Sequence, residues 1–216
     1  MNTPKATPEE SFFDTLLEWT AEELKVVYSL DCCIEATRIL CSVLRDCGIE
    51  AAPLSMRVLV FNPQLTEWLK THTLRELTLE SRDAAGQWLV QIGHTGEKTR
   101  GKWDGHLVCV VAEHAFLDAT LTQADRPYKG IVLQPAAFRC SPEFYHGERI
   151  AKYLMNGCGL VYQPFPDDRS YQKARAWHAR KPELEAIVER LIWRVRQAVK
   201  RGQFQALHMS FRAQMA

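Results

Sequence analysis

The segment Asp31-Cys-Cys-Ile-Glu-Ala-Thr-Arg-Ile-Leu-Cys-Ser-Val-Leu-Arg-Asp-Cys-Gly-Ile-Glu-Ala-Ala52 decides how the rest of the chain is read. Asp31 suits a helix N-cap and Gly48 a C′ position. Between them Ala36, Ile39, Leu40, Val43, Leu44 and Cys47 fall at the i, i+3, i+4, i+7, i+8, i+11 spacing of one buried helical face. The spacing predicts a core helix of roughly four turns. Its first turn carries Cys32 and Cys33, where unpaired backbone N–H groups and the positive end of the macrodipole favour a thiolate. A nucleophile can be made at that position.

Working outward, Thr7-Pro8-Glu9-Glu10 and Thr20-Ala21-Glu22-Glu23 read as two capping boxes, with Phe12, Phe13, Leu16 and Leu17 as an apolar stripe. Two amphipathic helices are expected to cover the core before the cysteine helix. After Gly48, Ala52 to Asn62 alternates Leu54, Met56, Val58 and Val60 against Ser55, Arg57, Leu59 and Phe61, a strand buried on both faces towards its end and closed by Pro63. Thr66 to Leu79 fits a helix or an insertion. Trp88 to Gly93 reads as a strand, and His94 to Lys102 as a polar loop. Trp103 to Val111, a turn over Ala112 to Ala115 and Phe116 to Thr120 read as a β-hairpin.

Leu121 to Pro135 reads as an ordered loop with a short strand at Ile131 to Leu133, and Pro142 to Leu154 as helical. Val161 to Asp168, with Pro164 and Pro166, reads as linker or edge strand. Pro182 opens a last helix with Leu184, Ile187, Val188, Leu191, Ile192, Val195 and Val199 on one face, and Gly202 ends it. The expected organisation is a helical cover over 1–30, a core over 31–135, and an extension over 136–216 packed on the same domain. The fold class is α+β, a core helix on a mostly antiparallel sheet with helices at both ends.

Bulk properties narrow the function. The 216 residues suffice for one continuous core, with 46% apolar and 25% charged residues. A net charge of +1 argues against general nucleic-acid coating. Seven cysteines and no signal-like apolar run near Met1 fit a reduced, cytoplasmic protein with no membrane span. Arg190, Arg194, Arg196, Lys200, Arg201 and Arg212 lie beyond the last acid of the chain. They read either as a solvated helix end or as a docking surface for an anionic partner.

A thiolate needs an imidazole, and the imidazole needs an acceptor on its second nitrogen. Of seven histidines, His106 opens the most apolar strand directly after a glycine, and Asp118 lies on the next strand, twelve residues on. Side chains alternate with period two, so the pair shares a face only if the hairpin loop has an odd number of residues, for example Val111-Ala112-Glu113. Cys41, Cys47, Cys109, Cys140 and Cys158 read as structural, and no zinc-ligand spacing occurs.

These pieces resemble the transglutaminase-like branch of the papain-like cysteine superfamily. There the nucleophile opens a core helix that ends about fifteen residues later in a Leu-Arg-x-x-Gly-Ile turn; Cys33 stands fifteen residues before Gly48 in Leu44-Arg45-Asp46-Cys47-Gly48-Ile49. Cys32, one residue early, fits that register less well. The strands Gly105-His106-Leu107-Val108-Cys109-Val110 and Leu117-Asp118-Ala119-Thr120 supply the other two signatures. The resemblance, over about Asp31 to Thr120, implies Cys33 as nucleophile, His106 as general acid and base, and Asp118 as orienting carboxylate. It also implies an oxyanion donor at the Cys33 backbone N–H, with Trp103 or a residue upstream of Cys33 as a second.

The implied chemistry is hydrolysis of an amide or isopeptide bond in a protein, peptide or small amide, as a peptidase, amidase or deamidase. Acyl transfer to an amine, or a non-catalytic binding module that kept the fold, are the alternatives. No metal or organic cofactor is called for.

Overall fold

The computed structural model describes residues 8–27, 32–76, 86–95, 103–112, 114–179 and 181–204. In chain order α1 (Pro8–Val27) and α2 (Cys33–Asp46) precede β1 (Ala51–Phe61), α3 (Pro63–Trp68), β2 (Leu89–Ile92), β3 (His106–Val111), β4 (Ala115–Asp118) and β5 (Ala136–Arg139). One helical turn, α4 (Pro142–Tyr145), leads to β6 (Ala151–Met155) and β7 (Cys158–Phe165); a second, α5 (Arg175–His178), leads to α6 (Pro182–Lys200). The class is α+β: the strands form one antiparallel sheet of order β5-β4-β3-β1-β7-β6, with β2 also paired to β1.

The α2 helix follows its sequence pattern, with Ala36, Ile39, Leu40, Val43 and Leu44 buried. It ends in a Schellman motif: the Gly48 N–H donates to Arg45 O at 3.0 Å and the Ile49 N–H to Leu44 O at 2.9 Å. At the other end the N-cap position falls on Cys32, while Asp31 lies outside the described residues, as does Thr7 of the first capping box.

The two expected N-terminal helices are one, because Thr20 is buried and its hydroxyl donates back to Leu16 O at 2.7 Å instead of capping a new helix forward. The stripe from Phe12 through Leu16 and Thr20 to Leu24 is therefore continuous. Together α1, α2 and α6 pack on Cys109, Val111 and Leu117 to form one core. Arg190, Arg194 and Arg196 of α6 pair with Glu23 at 2.7 Å, Glu22 at 3.1 Å and Asp46 at 3.0 Å. Three of the charges that suggested an anionic partner are thus answered by acids of α1 and α2.

The longest strand, β1, is the spine of the sheet. One of its edges pairs with β7 over Ser55–Phe61, while the other is shared end to end by β2 and β3. Val58 faces Ile92, so a strand running straight on would bring His94 opposite Met56; instead His106 stands there, twelve residues later. Hence β2 and β3 are two halves of one strand, parted by an excursion that leaves and rejoins the sheet at a single point. Gly93 sits at that point with φ 71, and a Cβ on it would lie 2.5 Å from His106 N and 2.7 Å from Met56 O.

The sheet differs from expectation in its second half. Only one turn of the helix expected over Pro142 to Leu154 forms, and the segment expected as linker or edge is the interior strand β7. The deciding signal is Asn156-Gly157, both at positive φ (52 and 79), a hairpin turn that joins β6 to β7. Pro164 and Pro166 lie past Tyr162, the last β7 residue that β6 reaches. Ile131 makes one isolated bridge to Arg126 instead of a strand, and β5 follows it.

The sheet curls until its two edge strands meet: the Phe138 and Tyr153 rings are 4.4 Å apart, and the Tyr153 hydroxyl donates to Arg139 O. The concave side encloses a second core of Met56, Val58, Val108, Phe116, Phe138 and Tyr162. Among the described residues no helix is long and apolar enough to cross a membrane.

If the close approach at Gly93 holds the interrupted strand together, Gly93→Ala combines a strained left-handed backbone with a clash against backbone that cannot move aside. A loss of more than about 1 kcal/mol in urea unfolding is expected. An unchanged midpoint would contradict the close approach.

Candidate active site

One contact ties α2 to the start of β3, and two side chains tie it to the chain around α5 and the start of α6. Thr37 Oγ1 donates to Leu107 O at 2.9 Å, Lys181 Nζ to Glu35 Oε1 at 2.8 Å, and Arg38 to the carbonyls of Ala176 and Ala179 at 2.7 and 3.0 Å. Cys33 is thereby the first helical residue at the end of the sheet where β3 begins, and its Sγ lies 4.0 Å from Gly105 O. It is half-buried against a small apolar cluster built on Ile34, Leu107 and Tyr171 and rimmed by Trp103 and Trp177. Cys32 turns the other way, buried in the core of the helices. The two adjacent thiols are therefore sorted by the helix into one that packs and one that faces the site.

His106 and Asp118 meet as the parity argument requires. The hairpin closes on Val111 opposite Ala115, a three-residue loop one step along from the example pairing, so both side chains fall on the concave face. His106 Nε2 donates to Asp118 Oδ2 at 2.8 Å, with both side chains fully buried. The carboxylate also accepts the Thr120 N–H at 3.1 Å and the Tyr162 hydroxyl at 3.0 Å. A buried carboxylate is tolerable only with such a set of donors. Tyr162 escaped the sequence reading because Pro164 and Pro166 disguised its strand, although Leu160, Tyr162 and Pro164 alternate with period two.

With Nε2 committed to Asp118, the other ring nitrogen, Nδ1, is buried without a hydrogen-bond partner. Burial opposes a charge on this ring, but the Asp118 charge and hydrogen bond, with a smaller contribution from Cys33, outweigh it and raise the pKa from 6.5 to about 10. The imidazolium is thus the form held at neutral pH beside the Cys33 sulfur.

Of the other thiols Cys32, Cys41, Cys47, Cys109 and Cys158 are buried, and Cys140 is half-buried with its sulfur 2.7 Å from the Tyr145 hydroxyl. Burial pushes Cys47 up to about 12 and Cys140 to about 11, and raises Cys109 and Cys158. Cys41 is buried with its sulfur 3.4 Å from that of Cys109. The Trp103 indole N–H donates to Ser170 Oγ at 2.9 Å, so this second oxyanion candidate is already engaged. The Cys33 backbone N–H, at the first turn of α2, has no carbonyl one turn back within the helix to receive it. Among the described residues no three His, Cys, Asp or Glu side chains gather as a metal-binding group.

The raised His106 pKa sets a stability window. A base that binds its proton more tightly when folded contributes fully below its unfolded pKa of 6.5, and the contribution is lost as pH rises through about 10. The melting temperature is expected to fall across that interval, and Asp118→Asn to flatten the fall. An equal slope in the variant would mean the pair is not coupled.

Compared with known proteins, the chain matches no family model, no curated protein and no solved structure.

Proposed function

We propose that Cys33, His106 and Asp118 are the catalytic triad of a transglutaminase-like member of the papain-like superfamily, and that its chemistry is cysteine-dependent acyl transfer to water. The observation that carries this reading is the fully buried imidazole: one nitrogen is fixed on a carboxylate, and the ring's proton affinity is raised in part by the half-exposed thiol of Cys33. Such an arrangement is costly to bury and serves packing poorly.

The Cys33 thiolate attacks an amide or isopeptide carbonyl, the Cys33 backbone N–H donates to the oxyanion, and the His106 imidazolium protonates the leaving amine. The C–N bond breaks and a thioester remains on Cys33. Water then releases a carboxylic acid. Hydrolysis ranks first because water needs no second binding site, and transfer to an amine shares the same first half. The substrate is a protein, a peptide or a small amide. Seven free thiols fit a reducing compartment, and we place the protein in the cytoplasm.

Iodoacetamide near neutral pH tests the reading against a binding module that kept the fold. Cys33 is expected to be alkylated about 100-fold faster than the other six cysteines, with His106→Ala removing most of the difference. Cys33→Ser is expected to fold and to lose all amide turnover. Slow, uniform alkylation would favour the module.

A further inference from the structure

The outer face of the sheet carries a groove on the side away from β4. The helices α1, α2 and α6 pack on Cys109, Val111 and Leu117 of that face. Cys109 pairs with Pro53, so by period two the same face continues along β1 through Arg57, Leu59 and Phe61, and from there onto β7 and β6. Among the described residues that line the groove, none comes from α1, α2 or α6; its wall is Thr66, Leu69 and Leu74, from α3 and the chain after it.

Strand register sets the floor in three rows. Arg57 lies beside Gln163; Leu59, Val161 and Lys152 follow; Phe61, Gly159 and Leu154 form the last. Gly159 keeps that last row low. Its N–H donates to Thr66 Oγ1 at 2.7 Å, and a Cβ on it would lie 3.0 Å from that oxygen and 3.2 Å from the Phe61 ring. The groove has a volume of about 540 Å³, within the range of small-molecule sites. Around it Leu154 is 70% exposed, Ile150 50% and Leu74 42%, an apolar patch of the kind that binding surfaces leave open to water.

Charge is one-sided. The described lining residues include Arg57, Lys70 and Lys152 and no acid. Lys70 is answered by Glu67 at 2.5 Å, outside the groove. Arg57 is half-buried, donates through Nη2 to the neutral Gln163 Oε1, and has its Nε buried without a hydrogen-bond partner. Gln163 thereby keeps its amide N–H groups as further donors. A half-buried guanidinium with no carboxylate beside it is an arrangement that an anion from outside completes, since a planar carboxylate matches its fork.

We propose that this groove binds a medium-chain fatty acid, its carboxylate on Arg57 and Gln163 and its alkyl chain laid along β1 towards Phe61 and Leu154. The reading stands independently of the chemistry assigned to Cys33. A linear ligand is called for because the apolar floor is one strand long and closed to branching by the Thr66 and Leu69 wall. From Arg57 to Phe61 the floor runs about 13 Å, the reach of roughly ten carbons. Lys152, on the edge strand, flanks the tail with its own apolar stem and keeps its ammonium in water.

Calorimetric titration with fatty acids below their micelle concentrations tests the site. Decanoate is expected to bind once per chain. Affinity is expected to rise about tenfold from octanoate to decanoate and to level off by tetradecanoate, whose tail outruns the floor. Arg57→Gln is expected to weaken decanoate at least tenfold by removing the head contact, and Leu154→Glu to do the same from the tail end. Leu154 is exposed, so its variant keeps the test open if Arg57→Gln folds poorly. Absence of decanoate binding, equal binding of 1-decanol, several equivalent sites per chain, or affinities within about twofold of wild type in a folded variant would each overturn the assignment.

Discussion

The hydrogen bond between His106 and Asp118 is the constraint on which the rest depends. Two ionisable groups with no exposed surface sit at one end of an apolar interior lined by Met56, Val58, Val108 and Phe116. Neither is tolerable there alone, since an unpaired buried charge costs far more than most side-chain contacts return. The pair has to form, and β3, β4 and β7 have to be in register for it to form with Tyr162 and Thr120 completing the carboxylate. What the polar pair needs in turn is the curl of the sheet, which closes Phe138 onto Tyr153 and keeps water away.

The same register accounts for the placement of the thiol. Because β2 and β3 are halves of one strand, the chain departs at His94 and returns at His106, and the sheet keeps its pairing to β1 on both sides of the gap. The excursion lets one end of the sheet present His106 to the concave interior and leaves Leu107 on the opposite face, against α2. Thr37 then ties the helix to the Leu107 carbonyl. A helix N-terminus and a strand N-terminus thus meet at one point, which sets a half-exposed sulfur beside a buried ring.

Much of this was legible in the sequence, for physical reasons that also explain what was not. The α2 pattern is unambiguous because its apolar spacing, its glycine stop and its cysteines agree, and the His106 and Asp118 positions follow from period-two parity once the hairpin is recognised. Local signals misled where tertiary contacts overrode them. Thr20 has the composition of a cap but is buried and bonds backwards to Leu16. Pro164 and Pro166 suggested a linker, whereas Asn156-Gly157 was the stronger signal for a hairpin. Tyr162 carried no motif, because its bond to Asp118 arises from strand register across more than forty residues and not from neighbours in the chain.

The most direct measurement is the titration of the His106 ring by nitrogen NMR in the intact protein. If thiol, ring and carboxylate meet as described, both ring nitrogens stay protonated from pH 6.5 up to about 10, and Cys33→Ser lowers the midpoint. A ring that titrates near 6.5 and ignores the substitution at Cys33 would contradict the meeting of the three groups.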